Sequence, residues 1–189
     1  MNDPARQRFS FYDYVQVEEL SQIKHEFLGG QVWAMAGGTP EHAALAAKVI
    51  SLLDRQLEGQ PCRVFTSDLR IRVQATGLGT YPDASVICGA LEHDPEDPKQ
   101  HTVINPRVLV EVLSPSTADY DRGEKLSHYQ QIPSVQDIVL VSHEARRIFL
   151  YSRSTTGWQL TTVEEDGSAH LHSINCALSV NDLYRDPLA

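Results

Sequence analysis

The segment Val108-Leu109-Val110-Glu111-Val112-Leu113 is apolar at every position but one. A strand apolar on both alternating faces belongs in the middle of a covered sheet, not at a wetted edge. Glu111 is therefore predicted in a place where an unpartnered carboxylate is costly. A second strand-like run, Ala84-Ser85-Val86-Ile87-Cys88, follows Tyr81-Pro82-Asp83 and brings another acid to the same problem. A divalent cation is the counter-charge that two adjacent acidic strands hold most naturally, which points to metal-dependent phosphodiester chemistry.

Period-two alternation decides which side chains can meet. Leu109, Glu111 and Leu113 share one face, Val108, Val110 and Val112 the other, and Asp83 shares a face with Ser85 and Ile87. If the two strands are neighbours, Asp83 and Glu111 lie side by side. Mg²⁺ keeps several waters, so these two carboxylates and a main-chain carbonyl near Val112 would suffice, with Mn²⁺ as a substitute. A nearby ammonium would orient the attacking water or stabilise charge in the transition state.

Around these strands the chain is expected to alternate helices with mostly antiparallel strands, an α/β or α+β class in one domain over residues 1–189. Tyr14, Val17, Leu20 and Ile23 recur at helical spacing in residues 11–25. Gly29-Gly30 marks a two-residue hairpin. Thr39-Pro40-Glu41 opens a long helix whose core stripe is Leu45, Val49, Leu52 or Leu53, and Leu57. Strands are predicted over Cys62 to Thr66 and Asp68 to Gln74, and a helix over 119–131. A β-meander comes next (135–141, 147–151, 158–163, 169–171), then a short helix announced by Ser179 and Asp182.

The chain has 189 residues, 41% apolar and 22% charged, which suits a globular fold with a sizeable core. Its three scattered cysteines argue against a disulfide framework and suit a reducing cytoplasm. The start lacks an apolar signal region and no run is long enough for a membrane span, so a cytoplasmic protein without membrane partners is expected. The net charge of −9 weighs against tight autonomous DNA binding, although Glu92, Asp94, Glu96 and Asp97 concentrate four of the acids in one loop.

Pro82-Asp83, Glu111-Val112-Leu113 and Lys125 together resemble the PD-(D/E)XK nuclease superfamily. Glu111-Val112-Leu113-Ser114-Pro115-Ser116-Thr117, with Asp121, Lys125 and Tyr129 downstream, resembles the Uma2 family of restriction-endonuclease-like proteins. Lys24 to Val32 and Pro40-Glu41-His42 match that family too, so the resemblance spans roughly residues 12–184. It implies a restriction-endonuclease-like core, a mixed sheet flanked by helices and ending in the meander. It also implies a Mg²⁺-dependent endonuclease acting on nucleic acid, DNA first, working as a homodimer. The superfamily lysine normally stands two residues after the glutamate, where this chain has Leu113. The resemblance assigns that amine to Lys125, reaching in from the next helix on a long flexible stem. It makes Asp83, Glu111 and Lys125 catalytic, Asp83, Glu111, Val112 and Glu26 metal-holding, and His42, Asp121 and Tyr129 accessory.

Blander readings stand beside these. Lys125 could be a solvated helix lysine paired with Asp121, Glu26 an exposed strand carboxylate, and His42 a helix-start histidine with a local hydrogen bond. Arg70 and Arg72 could line a phosphate-facing groove, but an exposed strand face is the simpler account. Trp33 and Trp158 read as core or interface. Two other functions remain open: a catalytically inactive nuclease-like module for nucleic-acid or protein interaction, and a purely structural ion.

Overall fold

The alternation is realised in three sheets, described over residues 8–35, 37–114 and 118–185 of a computed structural model. The largest contains β3 (Cys62–Thr66), β6 (Ala84–Cys88), β8 (Val108–Leu113), β9 (Asp137–Ser142), β10 (Arg147–Ser154) and β11 (Gly157–Glu164), in the order β11-β10-β9-β8-β6-β3. β8 and β9 run parallel and the other neighbours antiparallel. β8 is thus a central strand, and all six of its residues are buried.

Its two faces feed two cores, as the alternation predicts. Val108, Val110 and Val112 pack with Leu45, Val49 and Leu53 of the long helix α2 (Pro40–Leu57), while Leu109 and Leu113 pack with Ile87, Tyr129 and Ile132. The β6–β8 register sets Ala84 opposite Val110, so the next position outward brings Asp83 to Glu111.

A second sheet, ordered β2-β1-β5-β4-β7, is built from β1 (His25–Leu28), β2 (Gln31–Ala34), β4 (Arg70–Val73), β5 (Leu78–Thr80) and β7 (Thr102–Val103). Gly29 and Gly30 turn the β1–β2 hairpin at φ 60° and 85°, conformations that glycine adopts without steric cost. Thr39 caps α2 by accepting the His42 amide at 3.2 Å, with Pro40 at the first position. The predicted helix near 119–131 is α3 (Ala118–Tyr120), a π turn (Asp121–Lys125) and α4 (Leu126–Tyr129) in direct succession. α5 (Val180–Leu183) is capped by Ser179 as expected.

Several expectations are corrected. The first helix, α1 (Phe11–Glu18), stops seven residues short of 25 and buries Phe11, Tyr14, Val15 and Glu18. Val17, Leu20 and Ile23 are 44%, 88% and 59% exposed. Ser10 and Asp13 form the capping box that starts this helix, and Phe27, stacked on Tyr14 at 5.3 Å, selects its buried face. Arg70 and Arg72 form neither an exposed face nor a phosphate groove. Arg70 is enclosed by Thr102, Tyr81 and Asp97, and Arg72 lies 3.6 Å from the Phe11 ring centroid. Asp94 and Asp97 of the acidic loop are likewise buried.

Cys62 and Cys88, directly opposite in the β3–β6 register, form a disulfide, a pairing that the reading against a disulfide framework did not anticipate. Spacing along the chain does not reveal a pairing set by strand register. The meander's last strand, β12 (Ser168–Leu171), leaves the main sheet and pairs with β13 (Cys176–Ser179), a strand the sequence pattern does not announce. Between them lies a 3₁₀ turn (His172–Ile174), and Gln56 of α2 clamps β13 through both polar groups of Ala177, at 2.9 and 2.8 Å. Among the described residues no helix is long and apolar enough to cross a membrane.

Leu109 is fully buried under Glu111. Leu109→Ala should lower stability by about 2–5 kcal/mol, seen as a lower urea midpoint at unchanged slope. A loss under about 1 kcal/mol would show that this face of β8 is not a packed core.

Candidate active site

The acid on the central strand does find its counter-charge. Lys125 Nζ lies 2.8 Å from Glu111, 3.2 Å from Glu26 and 3.7 Å from Asp121. All four side chains are about one-twentieth exposed, so solvent screens these contacts little. Lys125 closes the π turn, a helix variant that recurs at functional sites and shifts the phase of the next helical turn by one residue. From there Tyr129, one turn on, donates its hydroxyl to Glu111 Oε1 at 2.5 Å. The reading of Lys125 as a solvated helix lysine is excluded by its burial, and so is that of Glu26 as an exposed acid.

Asp83 Oδ2 accepts the Val112 amide at 2.7 Å and lies 3.1 Å from His42 Nε2. His42 is more than a helix-start histidine: its bond to Asp83 raises the imidazole above its usual range, with burial opposing and Glu111 adding. The wall behind it is tight, since a Cβ on Gly38 would stand 2.7 Å from His42 Nδ1. Glu26 sits on β1 of the other sheet and accepts the Thr80 hydroxyl. Glu26, His42, Asp83, Glu111, Val112, Asp121 and Lys125 therefore line one cleft of about 260 Å³. Tyr129 is not on the cleft wall and supports Glu111 from the core. Ser114 also borders the cleft, whereas Pro115, Ser116 and Thr117 lie outside the described residues.

Burial pushes the Glu111 carboxyl up to about 8; Asp83 and Asp121 add to the shift and Lys125 opposes it. Burial alone would depress the Lys125 ammonium, yet Glu111, Tyr129, Glu26 and Asp121 overcome this and hold it well above its ordinary range. Among the described residues four carboxyl groups thus face one lysine and one histidine, a set of hard oxygen donors that carries excess negative charge once Glu111 ionises. That donor chemistry fits a magnesium-type cation. Among the described residues no three His, Cys, Asp or Glu side chains converge as a ready ligand cluster, so the protein's share of such a shell would be sparse.

Two cleft residues, and the fully buried Thr80 that hydrogen-bonds Glu26, escape a reading of the sequence. Thr80 looks like an ordinary strand residue and Tyr120 like a core aromatic of its helix. Tyr120 instead borders the cleft beside Glu26, its hydroxyl buried and raised in pKa chiefly by burial. Trp33, read as core or interface, also borders the cleft. No spacing signal distinguishes these positions, because their role comes from the meeting of two sheets.

Comparison with known proteins agrees with this architecture. The Uma2 family, described as "Putative restriction endonuclease", matches residues 11–181. Two curated Synechocystis sp. relatives, the uncharacterized proteins slr1290 and sll1609, are 38% and 32% identical to this chain. The alignments cover 92% of it and 90% of the first relative, and 79% of it and 84% of the second. A crystal structure from Anabaena variabilis, titled as a "putative nuclease belonging to DUF820", superposes with a TM-score of 0.76 over 93% of this chain and 97% of that one. At 18% identity that likeness is one of fold.

The Glu111 carboxyl should titrate near pH 8 in chelator-treated protein, followed by carbon-13 NMR of labelled glutamate. Between its ordinary 4.5 and about 8 the folded chain keeps a proton that the unfolded chain releases. Its contribution to stability therefore falls as pH rises through that window. A midpoint below 5 would contradict this burial account.

Proposed function

The chain belongs to the Uma2 family, and from that membership and the geometry of its cleft we propose a metal-dependent endonuclease that hydrolyses phosphodiester bonds of nucleic acid, DNA first. The observation that carries this reading is the 2.8 Å contact between Lys125 Nζ and Glu111. It returns an amine to the neighbourhood of the strand carboxylate although Leu113, at the superfamily's usual lysine position, is buried in the core.

Asp83 and Glu111 would hold Mg²⁺ or Mn²⁺, with the Val112 carbonyl and waters completing the shell and Glu26 holding a bound water or serving as a further ligand. Such an ion supplies neutralisation of charge on a phosphate oxygen and a more acidic water. The protein's own part is orientation. The Val112 amide and His42 engage Asp83 through Oδ2, which leaves Oδ1 for a ligand. Tyr129 and Lys125 both use Glu111 Oε1, which leaves Oε2. The Lys125 ammonium, steadied by Glu26 and Asp121, directs donors toward the water or the phosphate oxygens where charge develops.

Purified protein with Mg²⁺ or Mn²⁺ should cut DNA, offered both as supercoiled plasmid and as single-stranded circles. Asp83→Asn and Glu111→Gln, near-isosteric changes, should each reduce the rate by about a hundredfold or more while the fold persists. Cleavage that survives both substitutions would reject the assignment. Silence of the wild type under every metal would favour the inactive-module reading.

A further inference from the structure

We infer that the cleft takes its nucleic acid as a single strand, with one base stacked on the indole of Trp33. This rests on the phosphodiester reading of the same cleft. Trp33 on β2 pairs directly with Glu26 on β1. Cross-strand partners project to one face with neighbouring Cβ atoms, so the indole stands beside the carboxylate that contacts Lys125 at 3.2 Å. Trp33 is half-buried and borders the cleft.

Among the described residues no aromatic or cationic side chain lies on Trp33, whereas Trp158 is covered by Arg153 at 4.5 Å, and Tyr81, another cleft residue, is flanked by Lys24 and Arg70. Past β2 the wall flattens: Gly37 and Gly38 carry no side chains, and nothing lies within 4 Å of where a Gly37 Cβ would stand. A half-buried aromatic ring at the rim of a phosphate-processing cluster is a layout that receives an unpaired base.

Duplex DNA is gripped mainly through its phosphates by clustered Lys and Arg. This chain carries a net charge of −9, and Arg70 and Arg72 are enclosed by their own partners. Stacking is also tolerant of sequence, since every base offers a π face.

The test uses full-length protein in Ca²⁺ and fluorescein-labelled oligonucleotides, single-stranded and as the matching duplex, read by anisotropy; cleavage of both is then read in Mn²⁺. The single strand should bind at least about tenfold tighter than the duplex. Trp33→Ala should weaken single-strand binding by about tenfold or more, the size of one base–aromatic stack, while Trp33→Phe keeps most of it. Unchanged melting of both variants separates stacking from folding. Equal affinity for duplex, no single-strand binding, or indifference to both substitutions would overturn the inference. Trp33-dependent binding without cleavage would uphold the stacking shelf and sink the nuclease reading. Asp83-dependent cleavage indifferent to Trp33 would do the reverse.

Discussion

Lys125 holds the site together by lying against a carboxylate in the middle of a sheet. Glu111 comes from β8, Lys125 and Asp121 from the π turn, and Glu26 from the second sheet, so one buried ammonium ties three separate parts of the fold. Such clusters contribute little net stability, because the cost of desolvating each charge offsets its attraction to the others; apolar residues of similar volume commonly do as well. The surrounding strands are Val-, Leu- and Ile-rich and could have continued the core through position 111. A charge cluster at that point, opening onto a cleft, is the feature on which the proposed function rests.

The cluster is also unbalanced. Among the described residues Glu26, Asp83, Glu111 and Asp121 face one lysine and one histidine, and Asp83 and Asp121 add to the burial that chiefly raises the Glu111 carboxyl. The donors within the cluster are shared economically. Val112 N–H and His42 converge on one oxygen of Asp83, and Tyr129 and Lys125 on one oxygen of Glu111. Each acid is thereby fixed in direction while one of its oxygens is left for something else. Under the nuclease reading proposed above, this is the preorganisation that electrostatic catalysis requires.

Much of this is legible in the residues because it obeys short-range rules. An acid inside an all-apolar run marks the central strand, alternation sorts its two faces, and Thr39-Pro40 and Gly29-Gly30 mark a helix start and a hairpin. The parts that are not legible depend on tertiary partners. Val17, Leu20 and Ile23 have helical spacing as good as that of the true buried face, and only the docking of Phe27 against Phe11 and Tyr14 decides between them. Arg70 and Arg72 look like the polar side of an exposed strand until Asp97, Thr102 and the Phe11 ring arrive from distant sequence. The Cys62–Cys88 bond is set by strand register rather than spacing, and the π turn has no sequence signature. Trp33 and Tyr120 become site residues only once β1 and β2 are laid beside β8.

The most direct test is a crystal soaked in Mn²⁺ and measured for anomalous scattering. A two-carboxylate metal site should give a peak within roughly 2.0–2.6 Å of oxygens from both Asp83 and Glu111, with Lys125 still against Glu111. A clean anomalous map with no peak there, or with manganese bound only elsewhere, would contradict it.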